Sequence, residues 1–497
     1  MKDYDTIVVG AGNGGLSAAL TLALNGLKVL ILERHNIPGG SATSFCRGRF
    51  EFEVALHQLS GMGTADKPGP LRGLLARLGV LDDVEFTEMT DLYRVFIPDR
   101  LDITLNADRA QVIDTLQENF PAEKEAIVKF FNLVYSYAME LYTFFKNPAP
   151  SRDRFPLLHR YAFKTAGEVL NEFFSDPLLK AVPGAYWGYI GLTPNRLPFS
   201  YLAMLFFSYI EFRPCHIKGG SQALSNALAN RFMASGGAIR YNCGVKRIVV
   251  KNGNVEGVIT ENEEEITASH VVSNASKVST YVELIEREQI PRDLFTEMSG
   301  RTASPSGFNV YLGLDCKPED LGITVSTNFI LPDEDLSDKH FNRMHQLSTE
   351  DNLVAFSCYD VADPDFSPKG ACQAALVTLK YIEPWLQVPP HQYAKVKYEC
   401  ADHMIDRMEL LCPNVRDHIE EVEVGTPLTF MRYLGSPRGA IYGFEQYNKD
   451  SLFFEAPRVS PIKGLYTAGG WVTDCGFEPT LKSGVSAAGA IMRAMKA

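Results

Sequence analysis

The chemistry this chain could perform starts at its glycines. Gly10-Ala11-Gly12-Asn13-Gly14-Gly15 is a GxGxxG segment, and a carboxylate, Glu33, follows about 20 residues later. Gly10 permits a tight turn, Gly12 lets the backbone approach a pyrophosphate, and Gly15 allows a helix to pack closely on a strand. The helix that opens at Asn13 and Gly14 offers free N–H groups and a partial positive charge to phosphate oxygens. Glu33 can accept hydrogen bonds from an adenosine ribose, and its charge repels the extra phosphate of NADP.

Those residues need a frame, and the flanking sequence provides one. Thr6-Ile7-Val8-Val9 is a β-branched run suited to a buried parallel strand. Residues 16–24 carry a helical pattern that Asn25-Gly26 stops, and residues 27–32 form a second strand ending at Glu33. A GxGxxG alone is a weak signal. Strand, glycines, helix, strand and acid in that order predict a Rossmann-type dinucleotide site. Arg34 and then Gly39-Gly40-Ser41-Ala42-Thr43 resemble the extended fingerprint of glutathione-reductase-type flavoproteins, which implies FAD, with Arg34, Gly40 and Ser41 among its contacts.

Further segments carry a narrower resemblance. Gly48, Phe50, Phe52, Glu53 and His57 match a Gly-x-x-Phe-(Asp/Glu)-x-Gly-x-His stretch, with Ala55 in place of its second glycine. Lys218-Gly219-Gly220-Ser221, Val245-Lys246-Arg247-Ile248, Val271-Val272-Ser273-Asn274-Ala275 and Gly439-Ala440-Ile441-Tyr442-Gly443 follow in the same pattern. Gly464 to Gly470 and then Pro479-Thr480-Leu481, leading into a helix from Lys482 to Met495, close it. The chain thus resembles the phytoene desaturase, carotenoid isomerase and retinol saturase family within the amine-oxidase-like flavoproteins. Thr473, Cys475 and Gly476 resemble the retinol saturase branch.

The resemblance implies that Val245 meets the adenine through its backbone. It also implies that Asn274, Gly470, Pro479, Thr480 and Leu481 belong to the cofactor site, the last four near the ribityl chain and pyrimidine ring. Gly470 stands where many amine oxidases carry a carboxylate, which weakens an amine-oxidase reading. A helix N-terminus beneath the flavin would stabilise the reduced, anionic ring.

The implied fold class is α/β: a glutathione-reductase-like FAD-binding domain with an interleaved α+β substrate domain on a mixed sheet. The cofactor segments are discontinuous, 1–75, 214–280 and 455–497. Residues 76–213 and 281–454 would form the substrate domain, with a floor of strands around 308–314 and 374–379 and a helical cap from the first segment. A second GxGxxG is absent, so a pyridine-nucleotide half of the reductase type is not expected. The Asn252-Gly253 pair predicts a hairpin. The aromatic stretches 122–146 and 186–209 read as core, as the wall of a tunnel for a long apolar ligand, or as a membrane-dipping patch.

Composition narrows the partners. Across 497 residues, 48 Lys+Arg against 60 Asp+Glu give a net charge of −12, which disfavours nucleic acid. Nine scattered cysteines, none spaced CxxC, argue against a disulfide framework or zinc site and for a reducing, cytoplasmic setting. The 16-residue run 197–212 is too short to span a bilayer, although peripheral membrane contact stays open.

Flavin chemistry asks little of the protein, but changing a C=C bond moves one proton. His57 is the first candidate for it, with Tyr442 and Glu478 behind, and Tyr433 and Asp474 placed only by neighbourhood. The expected activity is FAD-dependent oxidoreduction at carbon–carbon bonds of a long polyene or isoprenoid, by saturation or desaturation. The alternative is cis–trans isomerisation without net redox change; an amine oxidase or a prenyl-binding protein without catalysis ranks below both.

Overall fold

A computed structural model describes residues 2–146, 151–448, 460–472 and 476–496. Two seven-stranded sheets organise them. The first is built on Tyr4–Val9, whose last four residues are buried. This strand lies parallel to Val29–Leu32 on one side and Glu265–Ser273 on the other. Ala238–Arg240 and Leu465–Thr467 extend the parallel array at its two edges. Buried on both faces, these strands read as unbroken apolar runs, as parallel sheets do. Val245–Lys251 and Asn254–Thr260 continue from Glu265–Ser273 as an antiparallel meander, joined by a hairpin with both Asn252 and Gly253 at positive φ.

The helix Asn13–Leu24 leaves the first strand through the glycine turn and packs against the C-terminal helix Phe477–Lys496. The glycine-rich sequence therefore fixes two joints at once, strand to helix and helix to helix.

The second sheet runs in the order Ile419–Gly425, Ser306–Leu314, Cys372–Lys380, Val354–Cys358, Thr327–Ile330, Asp91–Ile97, Leu101–Asn106. It is antiparallel except where Thr327–Ile330 meets Asp91–Ile97, so it is mixed, as the sequence implied. The helical cap is more than helices: residues 91–106 contribute a hairpin to the floor. Its turn, Pro98-Asp99-Arg100, has Asp99 in the left-handed region, a signal that the reading of this segment as helical roof passed over.

Above that sheet lie Lys124–Lys146, Pro156–Tyr161, Ala166–Phe173, Pro177–Gly184 and Phe199–Glu211. Their inward faces share one core, with Phe130, Phe131, Tyr137, Phe199 and Phe206, and Tyr186 from the turn Ala185–Tyr189, buried with Tyr93 and Phe329 of the sheet. Among the described residues, no helix is long and apolar enough to cross a membrane.

Candidate active site

One cavity of about 2260 Å³ runs from the glycine turn to the helical cap. Ordinary small-molecule pockets hold roughly 300–1,000 Å³. There is room here for a dinucleotide and a second, long ligand end to end.

At its first end the cavity is lined by Gly10, Gly12, Asn13, Gly14, Glu33, Arg34, Gly40, Ser41 and Val245. Glu33 is buried and accepts hydrogen bonds from the Ala11 N–H at 2.6 Å and the His35 N–H at 2.7 Å. Its carboxylate thus holds the glycine turn from the end of the neighbouring strand. Cys243 N–H donates to the Glu33 carbonyl, which brings the Val245 strand to the same end. The Arg34 guanidinium donates to the Tyr433 carbonyl at 2.8 Å and closes that side.

The helix Asn13–Leu24 has Gly12 as its N-cap with no side-chain cap, so its first N–H groups are left for a ligand in the cavity. Asn13 Oδ1 is buried there without a hydrogen-bond partner. A Cβ at Gly12 would sit 2.6 Å from Asn274 Nδ2, and one at Gly14 would sit 2.7 Å from the Gly469 nitrogen. Only glycine leaves this much backbone bare, and a bare, donor-rich backbone is what a pyrophosphate requires. Gly15 does not line the cavity. It faces inward, where a Cβ would meet the Gly10 carbonyl oxygen at 2.0 Å, in keeping with a packing role.

Asn274 bridges the two glycine segments. Its backbone N–H donates to Val9, and its side chain lies beside Gly12, Gly14 and Gly469. Gly469 N–H donates to Ser483 Oγ at 2.8 Å, which ties the Gly469-Gly470 turn to the C-terminal helix. Gly470, Glu478, Pro479 and Thr480 line the cavity from that helix tip. Leu481 does not: its side chain is fully buried in the core beneath, and its carbonyl accepts from Ser17 Oγ at 2.9 Å. Thr473, Asp474 and Cys475 lie outside the described residues.

Beyond the turns the cavity becomes apolar. Tyr142 and Phe145, Gly188 to Ile190, and Tyr201, Met204 and Leu205 wall this arm from the cap, with Ala355 and Val377 from the sheet. Residues of the aromatic stretch 186–209 therefore contribute to the core and to the cavity wall, two of the three readings open to them. On the helix Phe199–Glu211, Phe199, Leu202 and Phe206 lie in the core, Met204 and Leu205 line the cavity, and Tyr201 belongs to both.

His57 and Gln58 line the cavity where the two halves meet. Burial pushes the His57 imidazole down to about 4, so the ring is neutral at ordinary pH. Its Nδ1 lies 3.4 Å from the Tyr359 hydroxyl, and its ring stacks obliquely on Tyr189. Tyr189 OH in turn donates to Gln58 Oε1 at 3.3 Å. Tyr442 also lines the cavity, but its hydroxyl donates to the Gly188 carbonyl at 3.0 Å and braces the wall. Glu478 forms an i,i+4 ion pair with Lys482 at the helix tip.

Two residues are more important than the sequence reading allowed. Glu53 is buried, and its carboxylate accepts from Ser221 N–H at 2.6 Å, Ser221 Oγ at 2.7 Å and Leu56 N–H at 3.1 Å. It joins two quoted segments, 48–57 and 218–221, and fixes the loop that carries His57. Tyr359 gave no signal in the sequence.

A model of the flavin-containing amine oxidoreductase family matches residues 14–492. The prolycopene isomerase of Daucus carota is 29% identical over 94% of this chain and 76% of its own length. The all-trans-retinol 13,14-reductase of Danio rerio is 26% identical over 99% of this chain and 86% of its own. Among solved structures, a putrescine oxidase bound to putrescine superposes with a TM-score of 0.65 at 13% identity, covering 99% of both chains. The bare glycine turns, the buried acid and the closing helix tip fit the cofactor that such a family uses, FAD. The chain belongs to the flavin-containing amine oxidoreductase family and is an FAD-dependent oxidoreductase with an α/β fold.

Proposed function

We propose that this protein acts on a carbon–carbon double bond of a long polyene, a retinoid or carotenoid, with saturation as the first reading. The observation that carries it is a continuous cavity, lined at one end by the glycine turns and elsewhere by apolar side chains of the cap and sheet. The relatives named for all-trans-retinol and prolycopene support the same ligand class. In this reading residues 1–75, 214–280 and 455–497 hold the cofactor, and 76–213 with 281–454 hold the substrate.

The same reading assigns the roles. Gly12, Asn13, Gly14, Gly40, Ser41 and Asn274 hold the pyrophosphate, Glu33 and Val245 the adenosine, and Gly470, Pro479 and Thr480 the far end. FAD supplies hydride exchange with a carbon of the ligand. The arm, walled by Tyr142, Met204 and Leu205, excludes water and sets the polyene's length and orientation. His57 offers a polar group to the cavity beside Gln58, and Tyr442 keeps the wall in place through Gly188.

Isomerisation is the second reading, because the isomerase relative is as similar as the reductase one. Product mass separates them. With reduced flavoprotein and all-trans-retinol, a gain of two hydrogens supports saturation. A prolycopene product of unchanged mass and altered retention supports isomerisation. Neither product, together with flavin reduction by putrescine, would refute both.

A further inference from the structure

We infer that Tyr359 is a positioning residue that holds His57 as the neutral Nε2–H tautomer, so that His57 faces the cavity as a hydrogen-bond donor and not as a base. This deepens the reading above and rests on it for its catalytic meaning, though not for its geometry.

Tyr359 follows the strand Val354–Cys358 and is buried, with its hydroxyl 3.4 Å from His57 Nδ1. Among the described residues that nitrogen is the phenol's one hydrogen-bond partner. Two arrangements are conceivable. If Nδ1 carried the proton, the Tyr359 hydroxyl would accept, and its own proton would be buried with no acceptor. An unsatisfied buried donor costs about 1–3 kcal/mol. If the hydroxyl donates, Nδ1 is the bare nitrogen, and neutral imidazole then has its proton on Nε2. Burial favours both neutral forms, pushing the His57 ring down and the Tyr359 phenol up.

Both partners are fixed from behind. On one side, Glu53 anchors the loop of His57 through Ser221 and Leu56. On the other, Asp360 accepts from Ser367 N–H and Oγ, each at 2.9 Å, and from Gln373 N–H at 2.8 Å. The Tyr359 ring also packs on Phe366 at 5.0 Å and lies 6.0 Å from His216. Neither end of the pair can swing away cheaply.

The consequence concerns direction. An Nε2–H aimed into the cavity supports an electron-rich partner beside it, and it cannot take a proton from carbon without first changing tautomer. That disfavours desaturation with His57 as the base, fits a donor that steadies a polarised double bond during isomerisation, and leaves the proton of a saturation to another donor such as water.

The test is nitrogen NMR on FAD-loaded protein carrying 15N-labelled histidine, with His57→Gln identifying the His57 signals among the ten histidines. Near neutral pH, wild-type His57 should be protonated at Nε2 alone. Tyr359→Phe should give a mixture of tautomers and keep its flavin. It should also slow polyene-dependent flavin reoxidation about tenfold, a fraction of what general acid–base groups contribute. Protonation of wild-type His57 at Nδ1 would overturn the inference, as would an unchanged tautomer in Tyr359→Phe. If that variant loses its flavin, the wild-type spectrum alone decides. Should no polyene reoxidise the wild-type flavin, the functional reading falls while the tautomer is still read directly.

Discussion

A Cβ placed on Gly484 would lie 2.0 Å from the carbonyl oxygen of Gly14, so the C-terminal helix meets the N-terminal helix backbone to backbone, beside the cavity that Gly14 lines. Ser17 Oγ would be 2.1 Å from the same atom. Gly484→Ala must push the two helices apart. Overpacking of this kind costs typically about 1–3 kcal/mol. The expected outcome is a lower Tm and reduced flavin content. Gly489→Ala, on the same helix with only the Arg493 side chain nearby, should leave both unchanged or raise Tm slightly. Thermal melts with absorbance at the flavin band distinguish the two.

Glu33 closes the other end. Its carboxylate accepts from the Ala11 and His35 N–H groups and so shapes the turn, while the residue lines the cavity. Hydrogen bonds to a charged group contribute about 1.5–3 kcal/mol. Glu33→Ala should therefore weaken FAD binding about tenfold or more, read by titrating apoprotein and following flavin fluorescence. An unchanged Kd would remove Glu33 from the site.

The burial of His57 has a consequence for acid stability. Its folded pKa of about 4 lies below the ordinary 6.5, so the folded state binds fewer protons than the unfolded one in that window. The His57 contribution to stability should be flat above about 6.5 and fall as pH drops from 6.5 towards 4. The share belonging to His57 is on the order of 1–3 kcal/mol, because the ring borders a cavity that water can enter. His216 and His340 are also lowered by burial and add to the same trend. Urea unfolding at pH 7.5 and pH 5 should show a smaller loss for His57→Gln than for wild type. An equal loss would mean that His57 titrates normally.

The apolar arm can be filled without touching the cofactor end. Leu205→Trp projects a larger side chain into it from the helix Phe199–Glu211. The protein should keep its flavin spectrum and lose polyene turnover at least tenfold. Loss of flavin instead would place that wall against the cofactor.

How much of this was legible in the sequence depends on what kind of contact each residue makes. The glycine turn was legible because Gly10, Gly12 and Glu33 act through local backbone geometry, with a fixed spacing. The pairing of Glu53 with Ser221 was not, because the two are far apart in the chain and each motif reads alone. Leu481 looked like a cofactor contact through its neighbours Pro479 and Thr480, yet helix geometry turns its side chain into the core. The strands at 91–106 hid among helices because only one short Pro-Asp turn marks them. Tyr359 carries no pattern of its own, and its partnership with His57 exists only once two loops from opposite halves have met.

The most direct test is anaerobic mixing of the photoreduced FAD protein with all-trans-retinol, prolycopene, an unsaturated fatty acid and putrescine. The expected result is a return of the oxidised flavin band, or formation of a polyene isomer, with a polyene alone. A reduced flavin that stays reduced with every polyene and leaves each of them unchanged, in a protein whose oxidised flavin is bleached by putrescine, would contradict it.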